Sequence, residues 1–242
     1  MIIHSVHAII KVTEVLNVKI TMISGILNLI APDHCYSCGK TGGLLCDSCV
    51  YDIISEPFGR CLLCLVPTAD TNLCSACRGP LARAWVCGER AGVLEKLAND
   101  SKFSSNRRGC VMQAALLDSL LPALPVGIVI APIPTVWPHI RQRGYGHAEL
   151  IAKTLAERRD ALYSPLLIRA TNSVQHGANR RDRLAQAKQA YKCDQQLDGA
   201  TILLVDDVCT TGASLLEAAK VLRSAGANNV WAAVTTRQLL DT

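Results

Sequence analysis

Long uninterrupted apolar runs are missing from this chain of 242 residues, and none reaches the roughly 18 that a membrane-spanning helix needs. Nor do residues 1–21 read as a secretory leader. They are apolar but broken by Lys11, Glu14 and Lys19, without a basic start or a clear small-residue cleavage site. Cysteine is too sparse for a disulfide scaffold, at twelve residues in the whole chain. Charged residues make up only 19%, while 50% are hydrophobic, which excludes a disordered chain and leaves ample material for a packed core. The length allows one large or two modest domains.

What charge there is lies unevenly. The net charge is +5, yet residues 141–192 hold eleven Lys/Arg against four Asp/Glu, so that stretch carries +7 and the remainder −2. A cationic segment in an otherwise near-neutral chain suits a phosphate-rich ligand, with a solvated helical face as the plain alternative. Ahead of it, residues 22–31 place Ile23, Ile26, Leu27 and Ile30 on one face of a short amphipathic helix, with Pro32 as its stop. Met22 is therefore an expected start of the folded chain, and residues 1–21 are expected to be dispensable.

Residues 35–77 contain four Cys-x-x-Cys pairs: Cys35/Cys38, Cys46/Cys49, Cys61/Cys64 and Cys74/Cys77. Two thiolates three positions apart sit on one tight turn, and two such turns complete a closed, structural four-sulfur zinc site. One or two zinc ions are expected. Pairing in sequence order gives two tandem zinc ribbons, and an interleaved pairing is the alternative. Disulfides or redox dithiols are the competing reading, but a redox pair normally occurs once and in a βαβ context. So short a segment has little aliphatic core, so metal would supply most of its folding energy. Thiolate ligands in turn call for a reducing, cytoplasmic compartment. His34 is a spare ligand candidate, and Cys87, Cys110 and Cys193 read as small buried or half-buried residues.

From about residue 85 the chain alternates between strand-like and helix-like runs. Strands are expected at Trp85–Glu89, Gly127–Ala131, Leu166–Arg169, Thr201–Asp206 and Asn229–Thr235. Helices are expected at Leu94–Asn99, Gly109–Leu121, Ala148–Arg159, Arg181–Ala190 and Ser214–Ser224. Such alternation predicts an α/β fold with a parallel sheet and helices on both faces, with ligands at the carboxyl ends of the strands. Three parts follow: an extension with its short helix (1–30), the cysteine segment (31–84) and the α/β domain (85–242).

The strongest motif runs from Ile202 to Ser214: a buried strand, the acids Asp206 and Asp207, then a small-residue loop that opens a helix. Backbone amides and hydroxyls at Thr210, Thr211, Gly212, Ala213 and Ser214 would form an anion site at a helix N-terminus. Gly212 permits the tight loop, and adjacent acids can accept hydrogen bonds from a vicinal diol. Together they suit a sugar phosphate. Cys209 precedes the loop; backbone packing accounts for it, and a lowered thiol pKa near the helix N-terminus is the alternative.

This string resembles the phosphoribosyl pyrophosphate (PRPP) signature of type I phosphoribosyltransferases. The resemblance implies that Asp206 and Asp207 hold the ribose hydroxyls, that Thr210–Ser214 hold the 5′-phosphate, and that Mg²⁺ accompanies the PRPP. Ala131-Pro132-Ile133-Pro134 leading to Arg141-Gln142-Arg143-Gly144-Tyr145 resembles an element of the ComF family. So do Lys102-Phe103, Gln175 with Arg183, and the four cysteine pairs, over residues 22–237. The sequence departs from that family at Tyr145-Gly146-His147 and at Gln186, where the usual Asn and Gln, and a later Asn, are absent. His147 is expected on a solvent-facing loop, with a ligand contact as the alternative; Tyr145 and Trp137 could stack on a base or simply pack.

The resemblance implies a double zinc ribbon ahead of a type I phosphoribosyltransferase-like domain. Its cationic groups for pyrophosphate or other anions would be Lys102, Arg141, Arg143, Arg181 and Arg183, with Gly144 in the same loop. It also implies single-stranded DNA and the DNA-uptake machinery of natural transformation as partners. Either the domain transfers phosphoribosyl groups to an acceptor, or it keeps the PRPP site as a binding pocket. Salvage of a purine or another nucleobase is the alternative.

Overall fold

The computed structural model describes residues 32–56, 58–69, 72–103, 107–135, 144–169 and 190–239. The chain divides into two compact units, residues up to Cys46 and residues from Asp47 onward. Within the first, residues 33–44 form a tight knuckle. The Cys35 N–H donates to the Lys40 carbonyl, Gly39 N–H to Cys35, Gly42 N–H to Asp33 and Tyr36 N–H to Leu44. Gly39 closes the turn at φ +76°, a region open to glycine at no steric cost.

The second unit opens with helix α1 (Asp47–Ser55) and a second knuckle at residues 59–72, then builds a five-stranded sheet. Its strands are β1 (Arg83–Glu89), β2 (Val129–Pro132), β3 (Leu162–Tyr163), β6 (Thr201–Cys209) and β7 (Asn229–Arg237). They lie in the order β1-β7-β6-β2-β3, and every neighbouring pair is parallel. The chain leaves β2 toward one edge and β6 toward the other, so the order reverses between these two strands. In open parallel sheets ligands bind at the carboxyl ends of the strands where such a reversal falls, here beyond Pro132 of β2 and Cys209 of β6.

The strands form because they are buried. Ile202, Leu203, Leu204 and Val205 of β6 are all fully inaccessible, as in a central parallel strand covered on both faces. Helices α2 (Gly92–Phe103), α3 (Arg107–Leu120), α4 (His147–Arg159) and α5 (Ala213–Ser224) supply that cover. Leu215, Ala218, Ala219 and Leu222 of α5 share one cluster with Ile202, Leu204, Val230 and Ala232. Cys61, Leu62, Leu73 and Leu81 belong to the same cluster, so the second knuckle is continuous with the sheet's core. Asn72 completes the join along the outer edge of β1. Its N–H donates to the Ala84 carbonyl at 3.1 Å and its Oδ1 accepts from the Val86 N–H at 3.1 Å, much as a neighbouring strand would.

Two sequence expectations need correction. Leu166–Arg169 is no strand of the parallel sheet; Leu162–Tyr163 takes that place beside β2. Ile168–Arg169 (β4) instead pairs antiparallel with Tyr191–Lys192 (β5) in a separate two-stranded ribbon. Leu166 and Leu167 read as a strand because they are buried, but they are buried as core side chains rather than as ladder residues. Helix α1 was absent from the expectation, although Asp47 marks its acidic first turn. The expected helices at 23–30 and 181–190 fall on positions outside the described residues, apart from Ala190.

Candidate functional site

The two cysteine knuckles share three backbone hydrogen bonds at equal offsets. In the second, Cys61 N–H donates to Val66, Leu65 N–H to Cys61, and Thr68 N–H to Gly59, at the same offsets as in the first. The position held by Gly39 is Leu65 here, at φ +66°. Each knuckle's two cysteines meet the two of the Cys-x-x-Cys pair that follows it. Cys35, Cys38, Cys46 and Cys49 form one group and Cys61, Cys64, Cys74 and Cys77 the other, with all sulfurs of a group within 4.8 Å of one another. Pairing therefore follows sequence order, and the interleaved alternative is excluded.

Both groups fit zinc. A regular tetrahedron with Zn–S bonds of about 2.3 Å has edges of about 3.8 Å. Cys38 and Cys46 Sγ lie 3.7 Å apart, and Cys64 and Cys74 Sγ 3.5 Å. The thiols are also differentiated. Burial pushes the Cys61 thiol up, but backbone amides of Cys64, Cys74 and Leu63 outweigh this and bring it down to about 6. Cys35 falls to about 6 in the same way, against its own burial, through the amides of Cys38, Cys46 and Ser37. Cys77 is driven the other way by burial and by the neighbouring sulfurs of Cys64, Cys74 and Cys61. Four sulfurs this close share negative charge only with a cation between them, which is what a four-thiolate metal site supplies.

The second candidate region is the carboxyl end of β6. Asp206 is half-buried and its Oδ1 accepts from the Asp207 N–H at 2.9 Å; Asp207 is only 8% exposed. Thr236 of β7 donates to the Asp207 carbonyl at 3.2 Å, tying this turn to the neighbouring strand. Thr210, Thr211, Ala213 and Ser214 are exposed, while Gly212 is buried at the N-cap of α5 with φ +76°. Asp206, Val208, Cys209, Thr210, Gly212 and Ser214 are among the residues around a hollow of about 30 Å³. The structure thus gathers Asp206 and Thr210–Ser214 toward the carboxyl end of β6, with Asp206 and the loop around one hollow and Asp207 buried next to it.

Residues 143–240 match the phosphoribosyl transferase domain family. The chain is 27% identical over 222 residues to the DNA utilization protein YhgH of Salmonella typhimurium, covering 84% of this chain and 96% of that protein. It is 26% identical over 218 residues to YhgH of Escherichia coli K12, covering 77% and 95%. Competence protein F of Haemophilus influenzae is 32% identical over 117 residues, which cover 44% of this chain and 48% of that protein. The chain thus combines two four-cysteine groups with a parallel-sheet phosphoribosyltransferase domain.

Arg141, Arg143, Arg181, Arg183 and Trp137 lie outside the described residues, as does the side chain of Lys102. Gly144 is exposed at φ +80° and lines a separate hollow with Arg107, Tyr145 and Lys153. His147 corrects an expectation: it is 3% exposed in the first turn of α4, and its Nε2 lies 2.7 Å from the Ser101 carbonyl. The Tyr145 hydroxyl donates to that same carbonyl at 2.8 Å, and the Arg107 guanidinium covers its ring at 5.2 Å. These residues anchor the loop to the end of α2. Cys87 and Cys110 are buried and Cys193 is half-buried, as expected.

Cys209 follows the packing expectation, and the alternative of a lowered thiol pKa falls. It is 3% exposed, and burial pushes its thiol up to about 11 despite the nearby Arg237 guanidinium. It is a packed thiol rather than an activated one. The residue that sequence reasoning missed is Arg237, buried at the end of β7 directly beneath the loop. Its only sequence signal is a charge ending an apolar strand.

Proposed function

We propose that this chain binds PRPP with Mg²⁺ at Asp206–Ser214 and acts in the handling of single-stranded DNA. The observation that carries the reading is the acid pair at a buried strand end, followed at once by the exposed loop that opens α5. Asp206 and Asp207 accept hydrogen bonds from the ribose 2′- and 3′-hydroxyls. The amides and hydroxyls of Thr210–Ser214 hold the 5′-phosphate, helped by the positive end of the helix dipole. Bound Mg²⁺ supplies charge neutralisation to the pyrophosphate, and the carboxylates are hard oxygen donors suited to it.

Transfer breaks the bond between ribose C1 and the pyrophosphate oxygen through an oxocarbenium-like state. Positioning and charge stabilisation are the work left to the protein. Arg141, Arg143, Arg181, Arg183 and Lys102 are the cations we assign to the departing pyrophosphate. The names of the YhgH and competence relatives support a DNA-related role. The eight grouped thiols support a reducing, cytoplasmic setting. Among the described residues no helix is long and apolar enough to cross a membrane.

The test is Asp206→Asn with Asp207→Asn, which removes both charges and keeps shape. Calorimetry should show Mg²⁺-PRPP affinity falling more than tenfold, about 1.4 kcal/mol or more. Equal affinity in the two proteins would refute the assignment.

A further inference from the structure

Leu62 and Leu63 are the two residues between Cys61 and Cys64, so a metal held by those sulfurs fixes their backbone. Both meet the base of the candidate phosphate loop. The Leu62 carbonyl accepts from Arg237 Nε at 2.7 Å, and Cys209 Sγ lies 3.9 Å from the same oxygen. Arg237 is 3% exposed, and its Nη1 donates to the carbonyls of Cys209, at 3.3 Å, and of Thr210. One planar guanidinium therefore ties a knuckle carbonyl to the two carbonyls that lead into the loop. A fork of fixed donors holds such a set in one geometry. From above, the Leu63 side chain fills the space that a Cβ on Gly212 would occupy.

We propose that the Cys61/Cys64/Cys74/Cys77 metal group sets the conformation of the Thr210–Ser214 loop, through Leu63 on Gly212 and the Leu62–Arg237 bond. Metal occupancy and ligand affinity at the loop are then linked, each strengthening the other. Without the metal, four crowded thiols relax apart. The Leu62 carbonyl leaves Arg237, and the loop loses its support from below and its lid from above. The ligand half of this inference rests on the PRPP reading; the structural half does not.

The experiment uses full-length, zinc-loaded protein in four forms: wild type, Leu63→Ala, Cys64→Ser and Cys38→Ser. Hydrogen exchange is followed in peptides covering 209–216, with 201–205 as the reference for an intact sheet, and Mg²⁺-PRPP binding is titrated in parallel. Leu63→Ala should keep its metal and its sheet protection. Loop exchange should nevertheless rise at least fivefold and PRPP affinity fall about tenfold. Cys64→Ser should reproduce both effects with less zinc, whereas Cys38→Ser should lose zinc and show neither. Wild-type loop exchange in both Leu63→Ala and Cys64→Ser would overturn the proposal. Should wild type fail to bind PRPP, the PRPP reading falls, while the exchange measurement still decides the coupling.

Discussion

Gly212 concentrates the residue-scale argument. It sits at φ +76°, where an L side chain is strained by about 1–2 kcal/mol, and any Cβ there would overlap Leu63. Gly212→Ala is therefore expected to lower stability by at least that amount and to weaken PRPP binding. Thermal unfolding and calorimetry read the two effects separately. An unchanged melting temperature would show that the loop relaxes freely, against the packing described. His147 reads in the sequence as a solvent-facing residue but packs on the Ser101 carbonyl, while Cys209 packs beneath the loop as expected.

At the scale of elements, the two knuckles share three backbone hydrogen bonds at the same offsets, and each group has its own four sulfurs. Their metal sites should accordingly be separable. Metal analysis of the reduced protein is expected to give two zinc per chain, falling to about one in Cys38→Ser and in Cys64→Ser. Because residues such as Leu62 and Leu73 near the second group belong to the sheet's core cluster, Cys64→Ser should cost more solubility than Cys38→Ser. A metal-free wild type with its cysteines in disulfides would refute the zinc assignment. Asn72 gives the second knuckle a further role, since its bonds to Ala84 and Val86 cover part of an edge strand that would otherwise expose unpaired backbone groups.

For the whole molecule the deciding quantity is the distribution of charge. The +7 of residues 141–192 stands against −2 elsewhere. If this stretch follows a nucleic-acid backbone, affinity for a single strand should fall with salt, with a log–log slope near −0.7 for each phosphate contacted. Arg180→Ala with Arg181→Ala should reduce the slope by roughly one to two units and weaken all sequences alike, because phosphate contacts carry no sequence information. Absence of binding to a ~30-nucleotide strand at low salt, by protein that still binds PRPP, would leave phosphoribosyl transfer as the sole surviving role.

Local chemistry was legible in the sequence because it depends on spacing. Cys-x-x-Cys repeats, an apolar run ending in Asp206-Asp207, and a small-residue loop before a helix each specify their own geometry within a dozen residues. Strands β6 and β7 and the helix that opens after Gly212 were therefore expected without coordinates. Long-range packing was not legible, since nothing in local spacing says which buried group meets which. Leu166 and Leu167 were apolar enough for a strand but went to the core as side chains. Pairing of the cysteine groups needed the sulfur positions. Only the tertiary structure could bring Arg237, at the far end of the chain, between Leu62 and the Thr210 carbonyl. A buried guanidinium needs acceptors on every side, and here distant parts of the fold supply them.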